Sequence, residues 1–187
     1  EHFLQAISRY ELHEHRSAVQ TYGQEPTCTS LIWFTKILWL QGYPDQATTR
    51  LHEAVSLAQE VAHPFSLAFV EIWATVHYIG TREIQSALRY TEALLDLTEE
   101  QGFALFHAFA SISQGACWAQ LGRTQEGIAS LGQGLAELAA TGAGIARSQW
   151  LSWLAEAHLI TGQAEDGLKA LTGCFAHVSE TGERFWE

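Results

Sequence analysis

Gly42-Tyr43-Pro44-Asp45-Gln46-Ala47 decides the fold, because its last residue recurs at a fixed spacing. Ala47 returns 40 positions later as Ala87, and again as Gly127 and Gly167. Other columns keep the same step. Leu51, Leu131 and Leu171 form one, with Thr91 in the remaining slot; Trp33, Trp73 and Trp153 form another, interrupted by Ser113. Gly102, Gly142 and Gly182 form a third, opened by Ala62. Self-similarity at a period of this size means a repeat architecture, in which each unit buries its apolar face only against its neighbours.

Each unit reads as two antiparallel helices, A and B. The first A helix is predicted over about 27–41, with Pro26 in its first turn, where a missing N–H costs nothing. Gly42 to Asp45 forms the turn. Pro44 then opens a B helix that carries Ala47, Leu51, Ala54, Val55 and Ala58 at helical spacing. His63-Pro64 closes the unit, since the residue before proline resists the helical region. The remaining pairs fall at about 64–79 with 83–100, 103–121 with 124–140, and 145–160 with 164–180. Gly102, Gly142 and Gly182 lie just past B helices, where a left-handed residue satisfies orphan carbonyls. Gly122 and Gly162 do the same after A helices. Arg82 stands in that slot in the second unit, with Gly80 nearby, so that turn is expected to differ. Residues 1–21 read as the end of a preceding repeat plus a polar connection, 22–181 as four helix pairs, and 182–187 as the start of a further repeat. The expected whole is an all-α solenoid of antiparallel helix pairs, cut from a longer protein.

Composition narrows the function. The 187 residues are 47% hydrophobic with 7 Trp, so disorder is not expected. Ten Lys+Arg against 21 Asp+Glu argue against a nucleic-acid partner, which would call for a basic patch. Acidity that keeps a repeat rod soluble is the simpler reading. Cys28, Cys117 and Cys174 lack CxxC spacing and read as small packing residues in a reducing compartment. The longest apolar run, Leu31 to Leu40, is broken by Lys36, so no membrane partner is expected.

Gly42 to Ala47 also carries the Gly-x-x-x-x-Ala turn of a tetratricopeptide repeat (TPR), and Gly122 to Gly127 and Gly162 to Gly167 repeat its spacing. Twelve residues before each small B-helix position stand Thr35, Thr75, Gly115 and Ala155, the small A-helix positions of that resemblance. The 40-residue period exceeds the usual 34, which implies longer helices. Several further segments bear a closer likeness. They are Tyr22-Gly23-Gln24-Glu25-Pro26, Ala62-His63-Pro64-Phe65-Ser66-Leu67-Ala68, Glu100-Gln101-Gly102-Phe103 and Thr181 to Glu187. With the Gly42 turn they resemble the C-terminal TPR region of large bacterial signalling proteins, in which a nucleotide-cyclase domain and an NTPase module precede the repeats. Any such chemistry would lie outside these residues.

Within them no catalytic constellation stands out. There is no GxxxxGK[ST] loop and no GxSxG elbow, and Gly132-Gln133-Gly134 lies inside a helical pattern. His13-Glu14-His15 reads as a solvated connection rather than a metal site. His77, His107 and His158 lie on different A helices and read as satisfied interhelix side chains. No enzyme activity, metal or cofactor is expected.

The TPR resemblance implies that A helices line a concave face. Its inward positions would be Ile32, Ile72, Ile112 and Ser152, then Lys36, Val76, Ala116 and Glu156, flanked by Phe69 and Phe109 and by Trp33, Trp73 and Trp153. This stripe is apolar, with Ile32, Ile72 and Ser113 where a clamp for an acidic tail needs polar groups. The tryptophans read as packing. The isoleucines divide evenly between core and an exposed binding patch. The functional expectation is a non-catalytic, cytoplasmic interaction or regulatory module that binds a protein or peptide, including other domains of its own chain. A small-ligand sensor domain relaying occupancy to an attached NTPase or cyclase is the second reading, and a homo-oligomerisation arm the third.

Overall fold

The computed structural model describes residue 19 and residues 21–183. Among them are eight helices and no strand: α1 (Pro26–Leu40), α2 (Pro44–Val61), α3 (Pro64–Gly80), α4 (Ile84–Gln101), α5 (Ala104–Gln120), α6 (Thr124–Ala140), α7 (Arg147–Ile160) and α8 (Ala164–Thr181). Odd-numbered helices are of A type and even-numbered ones of B type. The chain adopts the all-α helix-pair class that the period implies. The His13-Glu14-His15 cluster, nearly all of segment 1–21 and most of segment 182–187 lie outside the described residues. The chain forms two compact units, one up to His77 and one from Tyr78 onward.

In the N-terminal unit α1 packs on α2. The α2 stripe Ala47, Leu51, Ala54 and Ala58 is fully buried, spaced four, three and four residues apart along one helix face. Full burial of a leucine such as Leu51 contributes about 1.5–3 kcal/mol. The start of α1 is held by a side chain. Glu25 is completely buried and its Oε2 accepts the Cys28 N–H at 2.7 Å, capping the helix. Its own N–H donates to Ser66 Oγ at 2.8 Å, and Ser66 lies 3.1 Å from His63 Nδ1, which ties the start of α1 to that of α3. His77, buried on α3, meets Thr48 Oγ1 of α2 at 3.0 Å and the Trp39 ring of α1 edge-on at 5.6 Å.

In the C-terminal unit α5 packs on α4 and α6, and α7 packs on α5, α6 and α8. The crossing of α5 with α6 rests on bare backbone. A Cβ at Gly115 would lie 2.6 Å from Gly127 O, and one at Gly127 would lie 2.6 Å from Gly115 O and 2.7 Å from Ala119 N. These are the two small positions twelve residues apart. The same pair in the next repeat, Ala155 and Gly167, is looser: a Cβ on Gly167 would come to 3.3 Å from Ala155 O. Leu94 and Leu131 are fully buried, as Leu51 is in the first unit.

Helix ends follow the local chemistry. Pro26 and Pro44 stand in the first turns of α1 and α2. Left-handed residues close α2, α4 and α8 at Ala62 (φ +51°), Gly102 (φ +68°) and Gly182 (φ +72°). The turn at Arg82 does not differ from the others as expected. Arg82 takes φ +65°, the conformation of Gly42, Gly122 and Gly162, and its N–H donates to the Ile79 carbonyl.

Candidate interaction surface

The A-helix residues divide into buried and half-exposed sets, and the division corrects the reading by register. In the N-terminal unit Ile32 and Ile72 are each 2% exposed and Val76 is 5% exposed. They are core. In the C-terminal unit Ile112 is fully buried, with Phe109 and Ala116 nearly so. The reason is visible at Ile112: its Cγ1 occupies the space a Cβ on Gly134 would take, 2.7 Å away, so it seats on the bare face of α6. The half-exposed residues of the proposed stripe are Lys36 and Phe69 in the first unit and Ser152 and Glu156 in the second.

In the N-terminal unit several of the half-exposed A-helix side chains are aromatic. Trp33 of α1 and Trp73 of α3 have ring centroids 5.3 Å apart at 51°, and Phe69 stands edge-on to Trp73 at 6.3 Å. Such pairs contribute about 0.5–1.5 kcal/mol beyond the area they bury, so the rings are held in place and present fixed edges. Lys36, half-buried on α1, has its ammonium pushed down to about 8 by desolvation. Glu71 was not singled out as a site residue. It is 9% exposed on α3, its Oε2 has no hydrogen-bond partner among the described residues, and burial raises its carboxyl to about 7. A carboxylate between apolar helix positions was the only signal available.

In the C-terminal unit the aromatics of the stripe, Phe109 and Trp153, are buried. Phe109, Trp150 and Trp153 stack in sequence, with centroids 5.4 and 5.1 Å apart, and Trp150 Nε1–H donates to Ile145 O at 3.1 Å. Glu156 does not stand alone. Arg82, in the turn between α3 and α4, reaches it at 2.9 Å, a link between non-adjacent repeats. Ser152 Oγ–H donates back to Gln149 O at 2.7 Å.

The histidines are satisfied locally. His107 Nδ1 lies 3.3 Å from Glu137, which also accepts from Ser111, and His158 Nδ1 lies 2.8 Å from Gln163 Oε1. Burial pushes the Cys28 thiol up strongly and the Cys117 thiol up to about 12, so both stay protonated. Among the described residues, two open hollows lie off the A-helix stripe. One of about 480 Å³ lies along the outer face of α2 at Thr49, His52, Glu53 and Ser56; the other, of about 390 Å³, lies at the Gly122–Glu126 turn beside Thr161. Among the described residues no three His, Cys, Asp or Glu side chains are grouped to hold a metal, and no helix is long and apolar enough to cross a membrane.

No family model matches the chain, and no curated protein matches it. Solved structures do. The chain is similar to the crystal structure of the nearly identical TPR-like repeats of a kinesin light chain-like protein from Podosopora anserina, with 17% identity over 97% of this chain and 86% of that one, at a TM-score of 0.57. A point variant of the same repeats aligns with 17% identity over 96% of this chain and 88% of its own, also at 0.57. The likeness establishes a TPR-like repeat fold.

Proposed function

We propose that this chain is a non-catalytic protein-interaction and regulatory module of a bacterial cytoplasmic signalling protein. Its partner is a protein or peptide segment, including one from another domain of the same polypeptide. One observation carries the reading. In a TPR-like fold, the Trp33–Trp73–Phe69 cluster stays half-exposed beside isoleucines that are buried. Rigid aromatic edges are the side chains most often dominant in binding energy. A partner presenting an apolar helix face or extended segment would cover them. The residues for contact are therefore Trp33, Lys36, Phe69 and Trp73 of the first unit, with Ile32 and Ile72 as their buried support. The small-ligand reading calls for an enclosed cavity with convergent polar groups.

The test is a photo-crosslinking residue at Phe69 in the full polypeptide, with a second at Ser56 on the outer face of α2 as the control. Crosslinks from position 69 to one defined segment, absent from position 56, are the expected outcome. Crosslinks from 56 alone, or from neither position, would move or remove the surface.

A further inference from the structure

Arg82 and Glu156 each break a column of the repeat, and they meet each other. Arg82 stands in the turn between α3 and α4, at the position that Gly42, Gly122 and Gly162 hold in the other pairs. All four take a left-handed backbone, with φ of +82°, +86° and +74° for the glycines and +65° for the arginine. A side chain is disfavoured there and glycine is not, so the turn itself gives no reason for an arginine. Glu156 on α7 stands in the column of Lys36, Val76 and Ala116, where it is the one acid. Its side chain is 36% exposed and lies 2.9 Å from the guanidinium of Arg82. Arg50–Glu53, Arg123–Glu126 and Lys169–Asp166 each stay within one helical turn. Arg82–Glu156 instead skips a whole helix pair, since α5 and α6 lie between its ends in the chain.

We propose that Arg82 and Glu156 form a releasable strap across α5, which holds the entry turn of α4 against α7 and sets the spread of the C-terminal unit. On α5 the Glu156 column holds Ala116, 3% exposed, and the turn that follows holds Gly122, so neither puts a long side chain between the partners. The nearest cation in register is engaged elsewhere. Arg123, beside Gly122, pairs with Glu126 and lies over the Trp118 ring at 4.4 Å. Because α5 packs on both α4 and α7, the two ends start close and the pair closes at a high effective concentration. The planar guanidinium of Arg82 offers its donors in a fixed fork that suits a carboxylate. Both side chains remain exposed, 64% for Arg82, which keeps the contact weak and reversible. Such a strap biases the spread of the unit and yields to charge. It belongs to the C-terminal unit alone and does not depend on the aromatic surface of the N-terminal unit.

The experiment measures the distance between spin labels on Gln85→Cys and Ala164→Cys, exposed positions in the first turns of α4 and α8. The full chain also carries Cys174→Ser, because Cys28 and Cys117 are buried and Cys174 is only half-buried. Arg82→Gly removes the strap and gives the turn the residue its backbone suits, so this variant is expected to melt no lower than the parent. Its label distance is expected to exceed the parent's by several ångström, and the difference to vanish in molar sodium chloride, where exposed pairs weaken. Arg82→Glu and Glu156→Arg are each expected to lengthen the distance, and the two together to restore it. An unchanged distance in Arg82→Gly overturns the proposal. So does a difference that molar salt leaves intact, or a charge swap that fails to restore the parent distance, because the turn and not the pair then sets the spread.

Discussion

Glu71 shows how one side chain can set a pH dependence. Its carboxyl has a folded-state value of about 7 because burial disfavours the charged form, against the ordinary 4.5. The raised value means that the folded chain holds this proton over a range in which the unfolded chain has released it. The sign follows. The penalty is absent below about pH 4.5, grows as pH rises through the window up to about 7, and is fully present above it. At about 1.4 kcal/mol per unit the window amounts to about 3 kcal/mol. Glu71→Gln, which carries no charge, is expected to melt at a higher temperature than the parent at pH 8 and to match it near pH 4.5. Paired thermal melts across that range check it, and parallel curves for the two proteins would show that Glu71 is solvated. No spacing rule marks this residue, since what matters is the missing partner for its Oε2 rather than its place in the repeat.

At the scale of the helix, the ends of the elements are the most legible part of the chain. Prolines at first turns and glycines past last turns placed most boundaries within a residue or two, because those residues act through their own backbone. The exception among the caps is Ala62, which takes φ +51° where Gly102 and Gly182 close the equivalent helices. It is exposed, so its methyl group makes no compensating core contact. Ala62→Gly is expected to stabilise the protein by about 1 kcal/mol, a rise of about 2–4 °C in midpoint, measured by calorimetry. The candidate surface was far less legible. Register placed Ile112 in a groove, but the bare backbone of Gly134 draws it inward against α6. Register also marked the Arg82 turn as a departure. Its backbone instead follows the glycines, and its side chain meets Glu156 in another repeat. Both errors have one source: a column in a repeat names a position, while the neighbour filling or vacating the space lies elsewhere in the sequence.

For the whole molecule the governing quantity is charge. With 10 Lys+Arg against 21 Asp+Glu, even complete pairing would leave a net charge of −11 at neutral pH. Several of the described pairs are local, such as Arg50–Glu53, Arg123–Glu126 and Lys169–Asp166, and exposed. Such pairs contribute about 0–1 kcal/mol each. Self-repulsion should therefore outweigh them, and added salt, which shortens the Debye length from about 10 Å at 0.1 M to about 3 Å at 1 M, is expected to raise the melting temperature. A titration with sodium chloride from low to molar concentration checks this; a falling midpoint would mean that the pairs dominate. The Gly115–Gly127 crossing has a mechanical meaning as well. Two backbones in contact leave no side chain between them to act as a cushion, so α5 and α6 are expected to turn as one piece under load. The wider Ala155–Gly167 crossing leaves some slack. A displacement applied to the third helix pair would thus be passed on with little loss, and the fourth pair, the more compliant spring, would take up the strain.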